Sequence, residues 1–278
     1  MISGATTVIA HLGYPSEAFK APMIYNPYFE QAGIDAVVVP LGVTSEHYPA
    51  LLRPLFAVTN LRGALVTMPH KVVTASLVDE VTPTARIAGA CNAIRKRDDG
   101  SLLGDMFDGE GFVRGVTRKG RSLAGARALV IGSGGVGCAI AASLAAAGAA
   151  SIGLYDANPA AAEALGARLR EHYAALAVRC GDKDPAGYDV VVNATPLGMT
   201  PGDPLPVDVA RIAPQTFVGE VVMKEEFTPL LRAALDKGCP VQVGTDMLFE
   251  QIPAYLEFFG LPTTTPDNLR AVSTIRYR

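Results

Sequence analysis

Between Arg127 and Asp156 the chain carries no charged residue, and within that run stands Ala128-Leu-Val-Ile-Gly132-Ser133-Gly134-Gly135-Val136-Gly137. An apolar strand leads into a glycine loop, then an Ala-rich helix, a second apolar strand (Ile152 to Tyr155) and an Asp. In a dinucleotide fold Gly132 permits the tight turn, Gly134 lets the backbone approach a pyrophosphate, and Gly137 lets helix and strand pack closely. Free N–H groups and the dipole at the helix start favour the phosphate charge. Asp156 follows at the spacing the fingerprint requires, about 20 residues. Gly132 through Gly137 are therefore expected to cradle a dinucleotide, the alternative being a glycine-rich turn that only packs.

The same uncharged run is long enough to suggest a membrane helix. Its internal glycines and its strand–turn–helix–strand pattern argue against that. At 278 residues the chain has room for two domains, and 49% hydrophobic with 18% charged residues suits a well-packed α/β protein. A net charge of −3 gives no reason to expect nucleic acid or an anionic membrane as partner. Cys91, Cys138, Cys180 and Cys239 include no C-x-x-C pair and read as thiols of a reducing compartment, so a cytoplasmic location is expected. His11, His47, His70 and His172 form no ligand cluster, and no metal site is expected. The expected partner is a small molecule, bound by a monomer or homodimer.

Three segments follow from the pattern: 1–108, 109–243 and 244–278. In the first, apolar runs Thr7–Leu12, Ala36–Leu41 and Gly63–Met68 alternate with helix-like stretches, which predicts a mainly parallel sheet. Ala36–Leu41 reads as a buried parallel strand, and Lys71–Val81 as the helix after the third run. The second segment is a Rossmann unit with strands at Ala128–Ile131, Ile152–Tyr155, Ala177–Val178, Val190–Asn193, Phe217–Glu220 and Val241–Val243, and a helix at Ala160–Ala175. In the third, a helix begins at Thr245 or Asp246 and returns to the first domain, and another starts at Pro266 or Asp267.

Asp156 bears on which cofactor binds. It can accept from the 2′-hydroxyl of an adenosine ribose but repels a 2′-phosphate, and Ala157-Asn158-Pro159-Ala160 offers no cation. NAD is favoured, with NADP possible; Asp156 could also N-cap the helix starting near Pro159.

Outside this unit, Leu65-Val-Thr67-Met-Pro69-His70-Lys71 and Gly104-Asp105-Met106-Phe107-Asp108-Gly109 stand out. Pro69 stops the strand and puts Lys71 at a strand-to-helix junction, the end that borders the ligand crevice in open parallel sheets. Taken alone, Lys71 reads more readily as a solvated lysine, and Asp108 as the cap of a helix from Gly109. With Gly89-Ala-Cys-Asn92-Ala, Asn193-Ala-Thr195-Pro-Leu-Gly198-Met, Thr228-Pro-Leu-Leu and a Gly244 to Gln251 block, these segments resemble the shikimate dehydrogenases, block by block in order from residue 13 to residue 251. The resemblance implies hydride exchange between NAD(P) and a ring carbon bearing a secondary alcohol, as in shikimate, quinate or a related cyclic hydroxy acid.

It also makes Lys71 and Asp108 the catalytic pair: Lys71 exchanges the alcohol proton, and Asp108 orients and charge-pairs it. Thr67, Asn92 and Gln251 match residues that hydrogen-bond the ring, Gln251 reading otherwise as an exposed helix residue. Thr195 and Gly198 match the loop near the nicotinamide, with Val221, Gly244 and Met247 lining the same face. The departures fall in the substrate pocket. Phe19 and Ala21 stand where the pattern has two carboxylate-binding serines; Leu65, Met106, Phe107 and Met223 replace further polar residues. Either the substrate is less polar or larger than shikimate, or Lys20, Tyr25 or His70 takes over the carboxylate. A non-catalytic NAD-binding sensor with the same fold is the competing reading, which retention of both Lys71 and Asp108 disfavours.

Overall fold

A computed structural model describes residues 2–275; residue 1 and residues 276–278, the outer ends of the first and third segments, lie outside the described residues, as does the side chain of Ala18. The chain forms two compact units, one holding the residues up to Phe107 and those from Ile252 onward, the other Asp108–Gln251.

The first unit contains β1 (Thr7–Gly13), α1 (Pro22–Ala32), β2 (Ala36–Gly42), α2 (Tyr48–Leu55), β3 (Leu61–Val66), α3 (Lys71–Thr74), β4 (Glu80–Val81), α4 (Pro83–Ala88), β5 (Ala93–Lys96) and β6 (Leu102–Asp105). Their sheet has the order β2-β1-β3-β5-β6-β4. β1 runs parallel to β2 and β3, but β5 is antiparallel to both β3 and β6. The parallel pattern read from the apolar runs thus holds for β1, β2 and β3 and recurs between β4 and β6, while β5 runs against both its neighbours. β2 is parallel as expected, yet it is not fully buried: as the edge strand it buries Val38, exposes Pro40 and Gly42 and leaves its other residues half-buried. An edge also tolerates Pro40, which has no N–H to give a ladder. The helix expected over Lys71–Val81 ends at Thr74. Asp79 N–H donates to the Leu102 carbonyl, and Glu80 pairs with Leu103 of β6, so sheet pairing overrides the local helical pattern.

The second unit contains α5 (Asp108–Arg118), β7 (Arg127–Ile131), α6 (Gly135–Ala146), β8 (Ser151–Tyr155), α7 (Pro159–His172), β9 (Ala177–Cys180), β10 (Val190–Asn193), β11 (Phe217–Glu220), α8 (Pro229–Asp236) and β12 (Val241–Gln242). All its strands are parallel, in the order β9-β8-β7-β10-β11-β12, the doubly wound arrangement with a switch point between β7 and β10. Leu129, Val191, Val218 and Leu231, none of them exposed, form its core. The expected Ala160–Ala175 helix lies at Pro159–His172.

The last two helices are α9 (Gly244–Phe259) and α10 (Pro266–Val272); the division between the units falls within α9, after Gln251. α10 belongs to the first unit, where the chain just beyond it is tied to α1 by the Thr274 N–H on the Met23 carbonyl, at 2.9 Å. Among the described residues, no helix is long and apolar enough to cross a membrane.

Candidate active site

In the first unit, the segment after β3 folds so that Thr67 N–H donates to the Leu12 carbonyl and the Thr67 carbonyl accepts from His70. Lys71 then opens α3, half-buried. Its carbonyl accepts the Cys91 N–H at 2.8 Å. The next residue, Asn92, is 1% exposed, and its Oδ1 accepts the Phe107 N–H at 2.8 Å. Two hydrogen bonds thus link the start of α3, the Asn92 segment and the residue directly before Asp108. Phe19 packs at the end of β1: a Cβ on Gly13 would lie 2.9 Å from its ring and would also collide with Thr67 Cγ2. Phe107 lies against Tyr255 and Phe258, at centroid distances of 4.7 and 5.3 Å.

His11 has no role among the site residues expected above. It sits in β1, 8% exposed, stacked on Phe19 at 4.1 Å, with Nδ1 lacking a partner. Burial, helped by the charge of Lys71, pulls its pKa down to about 4, so the ring is neutral. A histidine inside an otherwise apolar strand was the available signal. One residue expected to be free to hold a carboxylate is otherwise engaged. His70 is 1% exposed, stacks on Tyr48 at 4.0 Å, and its Nε2 lies 2.8 Å from the Val43 carbonyl. Burial lowers its pKa, leaving no positive charge to offer. Tyr25 is 2% exposed with an unpartnered hydroxyl, and burial pushes its pKa far up, so it keeps a proton to donate. Of the three, Lys20 alone keeps a half-exposed position, beside Phe19 and Ala21, which are each 9% exposed. Leu65 and Met106 are core residues.

In the second unit, Gly132, Asp156, Asn193 and Glu220 end the adjacent strands β7, β8, β10 and β11 or directly follow them. Gly132 has φ +102°, and a Cβ there would lie 2.7 Å from the Ala194 carbonyl oxygen. A Cβ on Gly137 would drive into the Gly132 carbonyl. Both glycines are therefore required by the close approach of loop, helix and strand. Gly134 caps α6, and the buried Ser133 Oγ there has no partner in the protein. Gly135 and Val136 open the helix half-buried, so the turn presents backbone N–H groups and a hydroxyl, the donor set a pyrophosphate takes.

Asp156 accepts the Ser133 N–H at 2.7 Å and the Asn158 N–H at 2.8 Å. It does not N-cap α7; Asn158 does, accepting from the Ala160 N–H.

Beyond β10, Asn193 Oδ1 accepts from the Thr195 N–H and hydroxyl, and the Thr195 hydroxyl accepts the Leu197 N–H. Gly198, at φ +99°, donates to Asp203. Val221 follows β11, and Gly244 lies so close to the Val222 carbonyl that a Cβ would clash. Along α9, Met247 is 4% and Gln251 7% exposed; Gln251 Oε1 has no partner, so it is no exposed helix residue. Asp108 opens α5 and is 4% exposed.

Residues 12–94 match the family model described as the shikimate dehydrogenase substrate binding domain. A shikimate dehydrogenase (NADP(+)) of Rubrobacter xylanophilus is 38% identical over 98% of this chain and 97% of its own length. The chain superposes on a shikimate 5-dehydrogenase of Listeria monocytogenes, solved with shikimate and NAD, with a TM-score of 0.91, 26% identity and coverage of 98% and 97%. It also superposes on a ligand-free 5-ketofructose reductase of a Gluconobacter strain, with a TM-score of 0.88, 25% identity and coverage of 97% and 98%. On this identity and coverage, the chain belongs to the shikimate dehydrogenase family of NAD(P)-dependent oxidoreductases.

Proposed function

We propose that this enzyme interconverts a ring secondary alcohol and the corresponding ketone, with Lys71 and Asp108 as its proton-transfer pair. The observation that carries this reading is the bonded path from the Lys71 carbonyl to Cys91 N–H and from Asn92 Oδ1 to Phe107 N–H. It ties the backbone of Lys71 to Phe107, the residue before Asp108, in one short network, which supports the pairing. The nicotinamide, when bound, supplies or takes up the hydride. The Lys71 ammonium gives its proton to the carbonyl oxygen during reduction, and the Lys71 amine takes it back during oxidation. Asp108 charge-pairs that ammonium and accepts from a substrate hydroxyl. Thr67, Asn92 and Gln251 hold the remaining ring oxygens. The glycine turn, the Ser133 hydroxyl and Asp156 would hold the adenosine half, with Thr195, Gly198, Val221, Gly244 and Met247 toward the other half.

NAD is the preferred cofactor in this reading. The Asp156 carboxylate repels a 2′-phosphate, even though the Rubrobacter relative carries NADP(+) in its name. The substrate is a cyclic polyol or hydroxy acid related to shikimate or quinate but less polar. Phe19 and the neutral His11 stack as an uncharged pair, with Lys20 as a nearby cation, and the fold is shared with a 5-ketofructose reductase. Losing two hydrogen bonds to a carboxylate, about 1.5–3 kcal/mol each, would weaken shikimate binding by roughly 10² to 10⁴-fold. The free cysteines are those of a reducing compartment, and we assign the enzyme to the cytoplasm.

The test is absorbance at the reduced-nicotinamide band with shikimate, quinate and non-acidic cyclic polyols, each with NAD and NADP. Turnover is expected, faster with NAD, and Lys71→Ala should lower kcat by about 10²-fold or more while NAD binding persists. Cofactor binding without turnover across the whole panel would overturn the assignment.

A further inference from the structure

Glu220 is an unexposed carboxylate at the end of β11, directly opposite Asn193 of β10 in the sheet register. Asn193 Nδ2 donates to both of its oxygens, at 3.0 and 3.2 Å. The Val221 and Val222 N–H groups donate to Oε1 at 3.0 and 3.2 Å, and the Thr228 hydroxyl donates to Oε2 at 3.0 Å. Thr228 in turn caps α8 by accepting the Leu231 N–H, and Asn193 organises the turn through Thr195 and Leu197. A single carboxylate therefore ties together three segments, the first two of which are also joined by the Val221 N–H on the Asn193 carbonyl, at 3.3 Å.

All three segments stand at the C-terminal edge of the sheet, on the β10–β11 side of the switch point. The glycine turn and Asp156 stand on the β7–β8 side. A dinucleotide bound across the switch point puts its adenosine half over the latter and its second half toward the former. We propose that Glu220 is a positioning residue for that second half: its carboxylate sets the arrangement of the 193–198 turn, the 221–222 backbone and the start of α8 on which the nicotinamide end is received. This rests on the dinucleotide reading given above.

The proposal makes affinity depend on ionisation. Burial raises the Glu220 pKa to about 7, against the pull of its hydrogen bonds. The charged groups of the surrounding segments are Asp203, Lys224, Glu225 and Glu226, with Arg232 and Asp236 on α8 and Asp108, Glu110, Arg114 and Arg118 on α5; none is among the causes of that shift. A protonated Glu220 carries a hydrogen into a site already filled with donors and accepts fewer of their hydrogen bonds, so acid should change the arrangement of the three segments without costing overall stability.

The experiment compares calorimetric binding of the reduced dinucleotide that the enzyme turns over, NADH or NADPH, with binding of the matching ADP-ribose, from pH 5.5 to 8.5. ADP-ribose lacks the nicotinamide and reports on the glycine-turn side alone. The dinucleotide Kd is expected to rise about tenfold as pH falls through 7, while ADP-ribose changes less than about twofold. Glu220→Gln should hold the dinucleotide Kd near the acidic wild-type value and remove the pH step. Should that variant not fold, the wild-type comparison decides alone. Parallel changes in both ligands, or a flat dinucleotide Kd in the wild type, would overturn the role of Glu220. No binding of ADP-ribose at any pH would instead remove the dinucleotide reading on which it stands.

Discussion

Because the Asp156 carboxylate accepts backbone N–H groups on both sides, from Ser133 and Asn158, it braces the glycine turn against the tip of β8. Replacing it should therefore do more than change charge. Asp156→Ser is expected to lower the NAD-to-NADP ratio of kcat/KM by tenfold or more, measured by steady-state kinetics with each cofactor. At Gly132 the positive φ and the Ala194 carbonyl leave no room for a methyl group.

Two buried titratable groups pull stability in opposite directions. His11 has a folded pKa of about 4, below its ordinary 6.5, so its contribution is present above pH 6.5 and is lost as pH falls toward 4. Glu220 has a folded pKa of about 7, above its ordinary 4.5, so its contribution is present below pH 4.5 and is lost as pH rises through 7. At about 1.4 kcal/mol per tenfold step, each is worth on the order of 3 kcal/mol. Urea denaturation between pH 4 and 8 should show stability of His11→Gln falling less steeply in acid than that of the wild type, and Glu220→Gln losing the decline between pH 5 and 7.

Among the elements, α7 shows how caps and function can be told apart. Asn158, not Asp156, supplies its N-terminal acceptor. Asn158→Ala should cost about 1 kcal/mol in thermal or urea unfolding, with NAD affinity unchanged within twofold; a large affinity loss would mean the cap also shapes the nucleotide turn. The short α3 and the edge strand β2 are the counterexamples to reading elements locally. Lys71–Val81 looks helical by composition, but the ladder between Glu80 and Leu103 lies beyond the reach of local propensity. Ala36–Gly42 looks fully buried, but burial of a strand depends on which neighbours the sheet gives it.

On the scale of the molecule, each unit has its own core, with Ile94 and Leu129 fully buried in separate clusters. Ile94→Ala and Leu129→Ala should each cost about 2–5 kcal/mol. With no shared partners, their effects should add within about 0.5 kcal/mol in the double variant, measured by chemical denaturation.

The sequence alone determined the nucleotide unit, because glycines 132 and 137, the apolar strands and Asp156 act through backbone freedom and period, which are local properties. It also determined that Lys71 stands at a strand-to-helix junction, although β3 spans Leu61–Val66 rather than the expected Gly63–Met68 and so ends before Pro69. Only the tertiary structure decided that His70 and Tyr25 are core residues, that His11 is a neutral ring on Phe19, and that Glu220 gathers donors from three segments. Those facts depend on which residues distant in the chain exclude water from one another, and no local pattern of residues encodes that exclusion.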